Sequence, residues 1–250
     1  MISPCLLIGF QKLLNPWLLL KNLLIKSRTL VFVVLEMSYS DVQPWEIAVH
    51  LVVICLFGVC SFFTFSYSSV FAYHPFGMLL GYGVLLSEAI LLSRKIVSKR
   101  RKFWLQVHAT MQFLGFFLIL VGFVTIVYSK VSRNKQHFKS WHALIGLGAF
   151  TLTAVQILIG IVIYYQRKLL VQKFGSVLAI RIARLHGKSG AITYAISMVA
   201  LALGFKTNYA VSTFSENFTT FLLLATLLIT LVVIFAPTKI TEQNTNALNS

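Results

Sequence analysis

The chain has 250 residues, 58% of them hydrophobic and only 11% charged, with mean hydropathy +0.83. A soluble domain carries about 25% charged residues, so the composition excludes a water-soluble globular enzyme and defines an integral membrane protein. The net charge of +16 arises from 22 Lys and Arg against 6 Asp and Glu. The bases sit in short connections between long apolar runs, where they set membrane orientation, so nucleic acid is excluded as a partner.

Residues 1–44 are an amino-terminal extension, apolar but interrupted by Lys12, Lys21, Lys26, Arg28 and Pro16. An interfacial helix, a cleaved leader, or an extension upstream of a start at Met37 all remain open. Six apolar runs of bilayer length follow, at 47–67, 75–93, 107–128, 142–165, 187–205 and 219–236. Runs this long and uniform read as helices, because a helix satisfies its own backbone in lipid. The fold class is therefore all-α integral membrane with six transmembrane helices, in a domain spanning 45–237. A tail, 238–250, completes the chain. The three cysteines, Cys5, Cys55 and Cys60, form no CxxC pair and read as inert.

Lys and Arg divide unequally between alternate connections. Seventeen fall with the amino-terminal tail, the second-to-third loop, the fourth-to-fifth loop and the carboxy-terminal end. Five (Lys130, Arg133, Lys135, Lys139 and Lys206) fall on the other side. The positive-inside rule then places both termini in the cytoplasm. The sequon at Asn217-Phe218-Thr219 falls on the non-cytoplasmic side, in agreement.

A single histidine opens each of spans two to five: His74 in "FAYHPFGMLLGYG", His108 in "WLQVHATMQFLGFF", His142 in "SWHALIGLGAF" and His186 in "RLHGKSGAITYA". Spans alternate in direction, so His74 and His142 lie near the non-cytoplasmic face, and His108 and His186 near the cytoplasmic one. Ionisable groups within membranes are functional by default. Zinc would need four gathered ligands, and no Cys, Asp or Glu accompanies either pair. Two imidazoles per site instead suit a haem iron with both axial positions filled. Gly146 and Gly190, four residues past a histidine, and Gly81 and Gly115, seven past, share the histidine's helical face and offer a gap for a flat ring. Such glycines also serve ordinary helix packing, as in Gly77-x-x-x-Gly81. Gln156, 14 residues beyond His142, should reach the opposite layer, since 14 residues rise about 21 Å.

With these motifs the sequence resembles the cytochrome b561 family over about residues 45–237. The resemblance rests on His74-Pro75-x-x-Met78, one histidine per span, and "SWHALIG" opening span four. "SEAILL" and "TAVQILIGI" are most similar to its cytochrome b561 domain-containing branch. It implies a central bundle of spans two to five holding two haem b groups. His74 and His142 would ligate the non-cytoplasmic haem, His108 and His186 the cytoplasmic one. It further implies electron transfer from cytosolic ascorbate to monodehydroascorbate or a ferric chelate, and a homodimer. The chain departs from better-studied members, which read "SLHSW" where Ser140-Trp141-His142-Ala143-Leu144 stands here, and "LLVYR" where Leu91-Leu92-Ser93-Arg94 stands.

Ascorbate is an anion, and Arg101, Lys102 and Arg184 near the cytoplasmic pair are the candidates to bind it. His137 and Lys139 are candidates on the acceptor side. His50, in span one, reads as structural, and Glu88 is expected to pair with Arg94 or to shuttle a proton. The alternative function is a histidine-dependent transporter or channel without haem. The membrane is the plasma membrane or an endomembrane: endoplasmic reticulum, endosome or lysosome.

Overall fold

The structure is a computed structural model describing residues 44–65, 69–97, 101–165 and 167–235. Among these every regular element is helical. In chain order they are α1 (Trp45–Thr64), α2 (Val70–Ile96), α3 (Arg101–Ser132), α4 (Trp141–Tyr165), α5 (Arg167–Gly204), α6 (Asn208–Phe214) and α7 (Glu216–Phe235). The chain divides after Ile47, and the unit from Ala48 onward holds the helical bundle. The expected extension up to residue 43 and the 238–250 tail lie outside the described residues.

Five of the six expected spans are single helices long and apolar enough to cross a membrane: α1, α2, α3, α4 and α7. The fifth, expected at 187–205, differs. Its helix begins far earlier, breaks at Gly175 (φ 79°), and is apolar enough for a span only when Gly175–Gly204 is joined to α6, bent 66° away. Arg181, Arg184 and Lys188 dilute the apolar run on one side, and the turn at Phe205–Thr207 ends it on the other.

Local sequence explains the ends that place the histidines. Ser140 caps α4, its Oγ accepting from the Ala143 amide at 3.3 Å, which fixes His142 in the first turn. Pro75 stands in the first turn of the Tyr73–Met78 helix, where its missing N–H costs nothing. The end of α3 is closed by Asn134 in the left-handed region (φ 49°). The Lys135 and Asn134 amides donate to the Lys130 and Val131 carbonyls, at 2.9 and 3.0 Å, which is the Schellman closure.

α2 is the most buried span and the most irregular. A π-helical stretch, Leu79–Leu86, interrupts it, and α1 carries a shorter one, Ile54–Gly58. The two meet where the Phe57 ring seats on Gly83. α2 and α3 approach closely through glycines: a Cβ on Gly77 would stand 2.5 Å from the Leu118 carbonyl and 3.3 Å from the Gly122 Cα. α4 packs along α5, and α7 against α5. Two hydroxyl pairs stitch the bundle, Tyr82 to Thr153 (α2–α4, 3.4 Å) and Ser87 to Tyr194 (α2–α5, 2.7 Å). Buried threonines such as Thr226 and Thr230 return their hydroxyls to the carbonyl four residues back, which satisfies those two donors in lipid. Outward faces carry exposed Phe117, Leu158 and Leu224, as lipid contact demands.

Candidate functional site

His74, at the start of α2, donates Nδ1–H to the Gly122 carbonyl of α3 at 3.0 Å. His108, near the start of α3, donates to the Ala89 carbonyl of α2 at 2.8 Å. His142, at the start of α4, donates to the Ala200 carbonyl of α5 at 2.9 Å. A carbonyl only accepts, so each bond fixes the proton on Nδ1 and leaves the Nε2 lone pair for a metal. The Nδ1 of His186, on α5, is buried without a hydrogen-bond partner.

One of the two expected couples is seen ring to ring. The His74 and His142 rings lie 6.2 Å apart, centroid to centroid. Two imidazoles bound through Nε2 on opposite sides of one metal, with bonds of about 2 Å, place their centroids about 6 Å apart. The separation therefore fits a shared iron. His186 and His108 interact electrostatically at the other end. Among the described residues no group of three or more His, Cys, Asp or Glu could hold a bare metal ion.

A cavity of about 300 Å³ opens beside the first couple, lined by His74, His142, Phe123, Gly146 and Tyr209 among others. The four glycines expected to leave room divide in two. At Gly146 a Cβ would meet nothing within 4 Å, and at Gly190 only the Gln156 Oε1 at 3.8 Å. Gly81 and Gly115 are instead filled by packing: Cβ atoms there would strike the Ile119 and Leu86 side chains at 2.5 Å. The α2–α3 contact needs them, so they open no ring-shaped gap.

Two glycines escaped the sequence reading. A Cβ on Gly204 would lie 3.1 Å from Cε1 of His142, and one on Gly160 would lie 3.4 Å from Cε1 of His186. Each of α4 and α5 thus seats the other's imidazole against a bare backbone. Each glycine lies 18 residues beyond the histidine of its own helix, a rise of about 27 Å, close to the hydrocarbon thickness. That equal spacing was the signal available. Gln156, expected to reach the far layer, does so: its Nε2 donates to the Ser189 Oγ at 2.7 Å, one turn past His186.

Arg101 and Lys102 are exposed at the start of α3, and Arg184 is exposed on α5 two residues before His186. At the other end His137 is half-buried and lines the cavity, while Lys139 is exposed. Lys130 was missed. It lines the same cavity, anchored to the Gln136 carbonyl at 3.2 Å and within electrostatic reach of His74 and His142. Glu88 pairs with His50 across α1 and α2, its Oε2 on the imidazole Nδ1. Arg94 donates to the Val233 carbonyl.

These features define a multi-pass helical membrane protein with a pair of imidazoles facing each other at one end of its bundle. The family model for eukaryotic cytochrome b561 matches residues 73–212, which include all four histidines. The chain belongs to the cytochrome b561 family, transmembrane oxidoreductases that move electrons through haem b. No curated protein matches the chain.

Proposed function

We propose that the protein carries two haem b groups, one between His74 and His142 and one between His108 and His186. Through them it passes electrons from cytosolic ascorbate to a non-cytoplasmic acceptor, monodehydroascorbate or a ferric chelate. The observation that carries this reading is the 6.2 Å separation of the His74 and His142 rings, with both Nδ1 atoms tied to backbone carbonyls. The haem-bearing domain is residues 45–237, between the extension 1–44 and the tail 238–250, with both termini cytoplasmic.

Bound haem supplies a one-electron ferric/ferrous couple. The protein's residues do the rest. The Nδ1–H bonds hold three imidazoles in orientation and strengthen Nε2 as a donor. Apolar walls around the cavity exclude water. Arg101, Lys102 and Arg184 concentrate anionic ascorbate at the His108 end. Lys130 and His137 stand at the cavity of the opposite end, with Lys139 on the same loop, to receive an anionic radical or a metal chelate. The same arrangement acts as a ferrireductase when the acceptor is ferric iron.

The test is the haem-per-chain ratio of the purified protein, with its visible spectrum after adding ascorbate. Two haems per chain and ascorbate reduction are expected, with one haem lost in His142→Ala and one in His108→Ala. A colourless protein would sink the reading and leave the haem-free transporter.

A further inference from the structure

Between Arg167 and Gly204, α5 holds six Lys and Arg and no Asp or Glu. Three of the six, Arg181, Arg184 and Lys188, are spaced three and four residues apart, so they form one stripe along the helix. All three are exposed, and among the described residues none of them makes a hydrogen bond or an ion pair. Ala179, Ile182, His186 and Ser189 repeat at a like spacing on roughly the opposite face and are partly buried. The basic stripe therefore points away from the bundle.

Large apolar side chains share that outward surface. Val177, Leu178, Ile180 and Leu185 are between 40% and 65% exposed, and a Cβ on Gly187 would meet nothing within 4 Å. The mixture suits neither bulk phase. In water, an open patch of large apolar side chains is disfavoured. In the hydrocarbon core, three unpaired cations are costlier still. The boundary between the two satisfies both. Apolar chains and the methylene stems of Lys and Arg enter the acyl region there, while the charged heads stay among phosphates. The stripe rises about 10 Å from Arg181 to Lys188, against about 5–7 Å for one headgroup layer. A lysine side chain is long enough to snorkel across the remainder.

Charge selects the occupant. No acidic side chain along α5 pairs the stripe, so its counter-charge comes from outside the helix. A second copy facing it would present the same stripe and be repelled. A small soluble anion would neutralise the bases and leave the apolar neighbours uncovered. An anionic phospholipid supplies a phosphate for the one and acyl chains for the other.

We propose that Arg181, Arg184 and Lys188 form a docking surface for anionic phospholipid headgroups, in the leaflet at the His108–His186 end. Each arginine can hold phosphate oxygens through two parallel N–H groups, and the lysine acts as a point charge. Arg184 also belongs to the proposed ascorbate cluster, but the lipid surface requires neither ascorbate nor haem.

The experiment is native mass spectrometry of the purified full-length protein, counting retained phosphatidylserine against phosphatidylcholine. Wild type is compared with Arg181→Gln/Lys188→Gln and with Arg133→Gln/Lys135→Gln, an equal change of charge at exposed positions on the other side. Wild type should prefer phosphatidylserine, less so as salt rises. The α5 double variant should lose that preference by roughly fivefold for each base removed, and the control should keep it. No preference in wild type, or an equal loss in both double variants, overturns the proposal. Inorganic phosphate at matched ionic strength should not displace the lipid; displacement would mean a small-anion site and overturns it too. Should the α5 variant fail to fold, lysine acylation of wild type in nanodiscs decides. Phosphatidylserine should slow acylation of Lys188 relative to Lys135, compared with pure phosphatidylcholine. An unchanged ratio overturns the surface.

Discussion

Replacing Gly146 by Leu tests where a macrocycle sits. Gly146 lines the cavity beside His142, and a Cβ there meets nothing within 4 Å. Leucine adds four heavy atoms, roughly 100 Å³ at protein packing density, a third of a cavity of about 300 Å³. The helix itself should not suffer, since leucine favours a helix interior over glycine by up to about 1 kcal/mol. The control is Gly148→Leu, two residues along the same helix. Gly148 also has nothing within 4 Å, but it is exposed and outside the cavity lining. Both variants should fold with equal or better thermal stability, and pyridine haemochrome assay should count one haem per chain in Gly146→Leu and two in Gly148→Leu. Full haem content in Gly146→Leu would refute the assignment of that cavity. Equal loss in both would point to the helix rather than the site.

Gly77→Ala should lower the unfolding midpoint in detergent by an amount matching about 1–3 kcal/mol, because its methyl group would stand 2.5 Å from the Leu118 carbonyl. An unchanged midpoint would mean that α2 and α3 are not in such close contact. Neutralising Arg101, Lys102 and Arg184 together should raise the apparent KM for ascorbate about tenfold at low salt, with the difference shrinking in 1 M salt. Kinetics like those of the wild type would remove the trio from ascorbate binding. Tyr194→Phe deletes the 2.7 Å bond to Ser87 and should cost about 1 kcal/mol in a stability measurement, with no loss of haem.

Much of the site was legible because few residues carry it. Four histidines heading four consecutive apolar spans can meet only in alternate pairs when helices alternate in direction, and the rings of His74 and His142 do meet. What escaped depends on contacts between helices, which periodicity does not encode. Gly81 and Gly146 look alike in sequence, each on a histidine's face. One is filled by Ile119 of the neighbouring helix and the other faces open space. Glu88, expected to pair with Arg94 or to shuttle a proton, bonds His50, 38 residues away across a helix interface. His137 and Lys139 read alike as acceptor-side candidates on one loop, yet the loop after Asn134 brings His137 to the cavity and leaves Lys139 exposed. The helix of the fifth span runs beyond its apolar stretch, because helical backbone continues through the cationic turns before His186, where hydropathy falls.

Because α4 and α5 each lodge the other's imidazole against a glycine, the two ends of the molecule are geared. Sliding one helix along its neighbour by a single turn would unseat His142 and His186 in the same stroke. A thicker or thinner bilayer that shifts this pair would therefore disturb both histidine seats together, never one alone.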